Sequence, residues 1–125
     1  MKSYKLSFAT INVIERNLAE VIIDEGVNID LMMVDEYHDF LTMSLKAPFG
    51  LFYNKRNSYS YTFEAQKTMS ILKSVKAVAV LNYTHASVMS TEMILKINAV
   101  NDHRIIKLFV KKDEALSWIK NILID

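Results

Sequence analysis

The segment Val75-Lys76-Ala77-Val78-Ala79-Val80-Leu81-Asn82 decides the fold. Only Lys76 and the terminal Asn82 are polar, and the apolar residues between them do not alternate with polar ones. Such a run is typical of a strand that is buried on both faces, as in a parallel sheet covered by helices. It is much shorter than the about 20 apolar residues of a membrane helix. The segment therefore predicts a central strand, and we expect no membrane insertion.

Strand patterns on both sides of this segment extend the sheet. β-branched and aromatic residues predict further strands at residues 4–15, 18–24, 49–54 and 105–110. The first two are expected to form a hairpin around Glu15-Arg16-Asn17, in which Asn17 is able to adopt a left-handed conformation.

Apolar residues spaced by three and four predict four helices. The first covers residues 28–45, begins at the N-cap Asp30 and is stopped by Pro48. Its expected apolar face is formed by Leu31, Val34, His38, Leu41 and Leu45, and that of a second helix from about Thr62 by Ala65, Met69 and Leu72. A third helix over residues 86–101 is expected to turn Met89, Met93, Ile97 and Val100 inward. A last helix, capped by Asp113, has the apolar face Ala115, Trp118, Ile119 and Ile122.

The order of these elements is β-β-α-β-α-β-α-β-α. It predicts an α/β fold with a mixed, mostly parallel sheet of about five strands, an N-terminal antiparallel hairpin and four flanking helices. With 125 residues and no linker rich in Pro, Gly or Ser, we expect a single domain over residues 1–125.

The composition excludes several classes of function. There is no cysteine, so a thiolate nucleophile and a Cys-ligated metal are excluded. Gly26 and Gly50 are the only glycines and stand far apart, so a glycine-rich nucleotide loop is excluded. A net charge of +1 predicts no nucleic-acid partner. No targeting signal precedes the first strand, and we expect a cytoplasmic protein without a cofactor.

The three histidines do not predict an active site. His38, His85 and His103 lack metal-ligand spacing, and we expect neither a metal site nor a catalytic residue. His38 is interpreted as a packed or boundary residue on the first helix. His85 lies in a strand-to-helix loop, where ligands often bind in α/β sheets. An enzyme using His38 or His85 with the early carboxylates is a minor alternative.

The charges divide along the chain. Residues 1–45 carry 8 acidic and 3 basic side chains, whereas residues 46–125 carry 6 acidic and 12 basic ones. The basic part contains the polar segment from Asn54 to Thr62, just after a strand and before a helix start, where an anion is favoured. We therefore expect a surface that binds a partner or an anion, formed by Asn54, Arg56, Ser58, Ser60, Thr62 and His85. The alternative is a helix cap alone, with the tyrosines packed on the sheet.

The C-terminal run Lys107-Leu108-Phe109-Val110-Lys111-Lys112-Asp113-Glu114-Ala115-Leu116-Ser117-Trp118-Ile119-Lys120 resembles the SpoIIAA-like proteins, relatives of the STAS domains. In that group a last strand ending near Phe leads to a helix with an acidic-Glu-Ala-Leu-x-Trp-Leu pattern, and here Ile119 replaces the final Leu. The similarity is greatest to small stand-alone bacterial members. Only this run is specific to the group, although the order of elements agrees along the whole chain.

The resemblance implies a non-catalytic STAS-like regulatory or protein-interaction domain. In the antagonist proteins a serine of an Asp-Ser-Ser-Gly motif is phosphorylated; the matching stretch here is Ser60-Tyr61-Thr62-Phe63, without the Asp and the Gly. Thr62 and Ser60 are thus the candidate phosphorylation sites. The alternative function is a small apolar-ligand or lipid carrier of CRAL-TRIO-like type, suggested by related folds and the Met-rich helices. The protein partner stays unidentified, and a homodimer is a further expectation.

Overall fold

Strands and helices alternate along the chain in the computed structural model, which describes residues 1–99 and 102–124. The strands are β1 (Lys2–Lys5), β2 (Ala9–Glu15), β3 (Leu18–Ile23), β4 (Asn28–Ile29), β5 (Phe49–Lys55), β6 (Ser60–Tyr61), β7 (Val75–Asn82) and β8 (Ile105–Phe109). The helices are α1 (Leu31–Ser44), α2 (Phe63–Met69), α3 (His85–Asn98) and α4 (Lys112–Leu123). In the described part of the chain, no helix has the length and apolar character needed to cross a membrane.

The main sheet has six strands in the order β1-β2-β3-β5-β7-β8. Strands β1, β2 and β3 are antiparallel neighbours, whereas β3, β5, β7 and β8 run parallel. The predicted α/β class with its N-terminal hairpin and mostly parallel remainder is therefore confirmed. The apolar segment Val75–Asn82 is β7, which lies between β5 and β8 and is buried along nearly its whole length. Strands β4 and β6 pair in a separate two-stranded sheet.

The first strand differs from its prediction. Residues 4–15 do not form one strand, because the chain turns at residues 6–8, where the Leu6 amide donates to the Ala9 carbonyl at 2.8 Å. The turn directs Phe8 into the core and returns β1 as an additional edge strand. This turn contains no glycine or proline, so composition gave no signal for it.

The tight turn between β2 and β3 is present, but Asn17 does not adopt the left-handed conformation that its residue type allows. No non-glycine residue among those described has a positive φ. The register of the hairpin instead shifts between Val13 and Glu15. The Asn17 carbonyl accepts a hydrogen bond from the Gly50 amide at 2.8 Å, so the turn is held by the start of β5.

Helices α1 and α2 cover one face of the sheet. Asp30 is the N-cap of α1, as predicted, and its carboxylate accepts from the Met33 amide at 2.9 Å. The buried face of α1 is formed by Val34, Tyr37 and Leu41, whereas Leu31 is exposed and its predicted inward position was wrong. The helix face is centred on Tyr37, which packs edge-on against Phe8.

Helix α4 covers the opposite face. Ala115 and Ile119 are fully buried there against residues of β3, β5 and β7. Trp118 is half-buried, with its ring centroid 5.5 Å from that of Phe109. The N-cap position is occupied by Lys111 without a side-chain hydrogen bond, so the prediction that Asp113 caps this helix was wrong. Asp113 lies in the first turn, where its negative charge interacts favourably with the helix dipole.

The face of α3 that was predicted to point inward is exposed in the structure. Met89, Met93 and Ile97 were expected to face inward and are instead exposed by 57%, 66% and 55%. The fourth member of that predicted face, Val100, lies outside the described residues. The buried positions of α3 are the polar residues Thr91 and Asn98.

Gly50→Ala is expected to lower the free energy of unfolding by about 1 kcal/mol, because the Leu123 and Ile119 side chains of α4 must shift to admit a methyl group. A Cβ atom at Gly50 would lie 2.8 Å from Leu123 Cδ1 and 3.0 Å from Ile119 Cδ1. Urea unfolding measures the effect. The control is the same substitution in a Leu123→Ala background, where the cost is expected to be smaller; an equal cost in both backgrounds contradicts the packing explanation.

Candidate functional site

A cleft of about 300 Å³ lies at the carboxyl ends of β5 and β7. The loop after β5 and the start of α3 form its walls, so two segments that sequence reasoning singled out meet there. Its lining residues are Lys55, Arg56, Asn57, Ser58, Tyr59, Tyr83, Thr84, Ala86, Ser87 and Ser90. Ligands of open α/β sheets bind beyond the carboxyl ends of the strands. The cleft therefore occupies the place in the fold where binding is expected.

The structure brings together some of the predicted surface residues. Arg56 and Ser58 are exposed and line the cleft. His85 is exposed at the first position of α3, between two lining residues.

Asn54, by contrast, does not face the cleft. Asn54 is buried. Its side-chain Nδ2 donates to Glu20 Oε2 at 3.0 Å, and its side-chain Oδ1 accepts from the Tyr83 hydroxyl at 2.8 Å. Side chains alternate between the faces of a strand, and that of Asn54 is fixed among its own neighbours.

Ser60 and Thr62 lie in and after β6, apart from the cleft lining. The Ser60 hydroxyl is exposed and donates to Asn28 Oδ1 at 2.9 Å. Thr62 is the N-cap of α2, and its Oγ1 accepts from the Ala65 amide at 3.2 Å. The cap that was weighed as the alternative to a binding site is thus formed by Thr62.

A polar network between the end of β7 and α3 sets the rotation of this helix. Asn82 is almost completely buried, and its Oδ1 accepts from Ser87 Oγ at 2.8 Å. Thr91 Oγ1 lies 3.2 Å from the same oxygen and accepts from Lys55 Nζ at 2.9 Å. Buried polar atoms require hydrogen-bond partners. The polar side of α3 therefore turns inward, which explains why the prediction for Met89 and Met93 was wrong.

Asn98 fixes the other end of α3. Its amide donates to the Gln66 carbonyl of α2 at 3.1 Å. Sequence reasoning missed Asn82, Ser87, Thr91 and Asn98. The available signal was a polar residue ending an otherwise apolar strand, followed by small polar residues at helical spacing.

The outer side of α3 carries an apolar stripe formed by Met89, Met93 and Ile97, here called the α3 face. Ala86 and Ser90 line the cleft and lie on the same side of the helix, since residues 86, 90, 93 and 97 follow helical spacing. The cleft and the α3 face therefore form one continuous surface. The lining residues of the cleft include two cations, Lys55 and Arg56, and no carboxylate among the described residues.

A smaller cavity of about 60 Å³ lies beneath α3, between this helix, α2 and the sheet. Tyr53, Tyr59 and Tyr61 line it together with Lys55 and Arg104, and its remaining walls are largely apolar. Burial raises the pKa of all three tyrosine hydroxyls, which keeps them protonated. Burial lowers the pKa of Lys55. This space is here called the α3 cavity.

An ion pair closes one side of the α3 cavity. Arg104 donates through Nε to Asp102 Oδ1 at 2.7 Å and through Nη2 to Asp102 Oδ2 at 2.6 Å. The side chains are only 8% and 7% exposed. Burial by itself raises the pKa of the Asp102 carboxyl group, but the hydrogen bonds from Arg104 outweigh this effect and hold it below its ordinary value.

The three histidines lie apart from one another. His38 is half-buried on α1, and burial lowers its pKa. Its Nε2 is buried without a hydrogen-bond partner among the described residues. His103 lies just before β8 with Nε2 3.0 Å from the Val75 carbonyl oxygen, at the start of β7 and so at the end of the strand away from the cleft.

Comparison with known proteins gives a family and no activity. A family model described as a domain of unknown function (DUF7793) matches residues 13–123. A search of curated proteins and a search of solved structures each returned no match.

Acidification is expected to weaken the fold through Asp102. Because its folded-state pKa is lowered, the ion pair contributes stability at neutral pH that is lost as the pH falls below the unfolded-state value of about 4. Urea unfolding of the wild type and Asp102→Asn at neutral and at acidic pH checks this. The difference between the two proteins should shrink at acidic pH, and a difference that does not change with pH contradicts the assignment.

Proposed function

Because the chain belongs to the DUF7793 family, a domain of unknown function, we propose a function from the geometry: the domain is non-catalytic and binds another protein through the α3 face and the adjoining cleft. The observation that carries this proposal is the outward position of Met89, Met93 and Ile97. The resemblance to STAS domains implies a role of the same kind, in regulation by protein contact.

The α3 face is suited to an interface. Full burial of a Met or Ile side chain contributes about 1.5–3 kcal/mol, so a partner covering this stripe gains substantially. Three such side chains on successive turns present the arrangement with which an amphipathic helix contacts an apolar groove or a second helix. A contiguous exposed apolar patch on a soluble domain commonly marks such a contact.

The cleft indicates the charge of the partner. Lys55 and Arg56 give it a positive character, and no described lining residue compensates them. We therefore propose a protein partner that places apolar side chains on the α3 face and acidic side chains in the cleft. Complementary charges of this kind increase the association rate and fix the orientation of the complex.

Phosphorylation as a control of this contact stays a prediction. The exposed Ser60 hydroxyl is the more accessible candidate, whereas Thr62 Oγ1 already accepts a hydrogen bond from the Ala65 amide as the N-cap of α2. A phosphate adds about −1.5 to −2 charges, which would oppose an acidic partner.

The apolar-ligand carrier also stays a prediction. Pockets for drug-sized ligands measure about 300–1,000 Å³. The α3 cavity measures about 60 Å³ and therefore gives this alternative no support.

Met93→Glu is expected to abolish capture of the partner while leaving the fold intact, because a carboxylate on the α3 face opposes both apolar burial and an acidic partner. Quantitative affinity capture from the cells of origin, with this 125-residue chain as bait, measures this. Met43→Glu is the matched control, since Met43 is 86% exposed on α1 and lies outside the proposed surface. It should capture the partner like the wild type.

If Met93→Glu and Met43→Glu capture equal amounts of the partner, the α3 face is not the contact surface. If Arg56→Ala captures as much partner as the wild type, the partner does not place acidic side chains in the cleft. The alternative occupant of the α3 face is a second copy of this chain, which sedimentation of the purified protein tests. A dimer that Met93→Glu dissociates would mean that the surface forms a homodimer and does not bind a different protein.

A further inference from the structure

We propose that the α3 cavity is a binding site for a small carboxylate with a short apolar tail. It lies beneath α3, whereas the proposed protein contact uses the outer side of the helix; the two sites share Lys55 and Tyr59, which also line the cleft. Three observations support it: unused hydrogen-bond donors, an excess of positive charge, and apolar walls.

Lys55 supplies the first donors. Its ammonium group donates to Thr91 Oγ1 at 2.9 Å, which leaves two of its three N–H groups for other acceptors. No carboxylate of residues 1–99 or 102–124 lies within 4 Å of it. Lys55 is partly buried, and a cation that is partly removed from water is stabilised by a nearby anion. The Tyr59 ring, whose centroid is 5.3 Å from Lys55 Nζ, gives it a cation–π contact but no counter-ion.

Arg104 supplies further donors. Nε and Nη2 are both used by Asp102, whereas Nη1 makes no hydrogen bond in the described part of the chain. Tyr53, Tyr59 and Tyr61 add hydroxyl groups that burial keeps protonated, and the Tyr53 hydroxyl already shares a hydrogen bond of 2.6 Å with that of Tyr37. The only carboxylate in this group, Asp102, is already occupied by Arg104. The lining therefore offers many donors and calls for a ligand that mainly accepts.

The charge and size select the class of ligand. Lys55 and Arg104 against Asp102 leave one uncompensated positive charge, which fits a monovalent anion. The volume of about 60 Å³ admits a few non-hydrogen atoms. Val78, Val80 and Ile106 add apolar walls from β7 and β8, which suit a hydrocarbon tail better than the fully polar surface of phosphate.

The test is a titration of the ¹⁵N-labelled protein with propionate, followed by amide chemical shifts. We expect saturable shifts at residues around Tyr53, Tyr61 and Arg104, with a dissociation constant on the order of 1–10 mM for so small a ligand. Propionamide has the same shape without the charge and should bind at least about tenfold more weakly. Inorganic phosphate should cause no saturable shifts at these residues.

Two substitutions locate the site. Lys55→Met should weaken propionate binding at least about tenfold, whereas Lys96→Met, at an exposed position of α3, should leave it unchanged. Met93→Glu should also leave it unchanged, which separates this site from the protein contact. If Lys55→Met does not fold, Tyr61→Phe replaces it, with an expected loss of several-fold.

The proposal is overturned if propionate and propionamide bind equally, if the shifts lie elsewhere, or if phosphate alone binds. It is also overturned if a folded Lys55→Met protein binds propionate like the wild type.

Discussion

The hydrogen bonds of the Asn82 carboxamide determine how α3 lies on the sheet. Asn82 ends the central strand in a buried position, and Ser87 and Thr91 of α3 both reach its oxygen. Turning the helix to bury Met89 and Met93 would leave the Asn82 oxygen without these partners at a cost of about 1–3 kcal/mol. It would also separate Lys55 from Thr91 and expose Ile94 and Leu95, which are half-buried against the α3 cavity. These losses oppose the gain from burying the two methionines.

Both proposed sites follow from this orientation. With the polar side of α3 inward, its apolar side faces solvent and continues into the cleft. The same polar side covers a cavity whose walls carry Lys55, Arg104 and the tyrosines. One constraint at the end of β7 thus produces an outer surface suited to a protein and an inner space suited to a small anion.

Much of the fold was accessible from the sequence, because it depends on local patterns. The sequence predicted the apolar run of β7, the hairpin of β2 and β3, and the Asp30 cap. It also predicted the α/β class and the four helices. The loop after β5 and the start of α3 were identified as candidate binding segments, and the structure places them together.

The rotation of α3 was not predictable from helical spacing. Periodicity defines two faces of a helix, and the inward one is selected by groups distant in sequence. Lys55 reaches Thr91 across 36 positions, and Gln66 reaches Asn98 across 32. The direction of Asn54 was missed for the same reason, since Glu20 fixes it from another strand. The turn after β1 carried no glycine or proline to indicate it.

The orientation of α3 determines which methionines face solvent. The most direct measurement is the broadening of ¹³C-labelled methionine methyl signals by a soluble paramagnetic agent, in dilute monomeric protein. Met89 and Met93 should broaden as strongly as Met43, while Met69, which is 8% exposed, should be protected. Protection of Met89 and Met93 to the level of Met69 would contradict the orientation of α3 and both sites inferred from it.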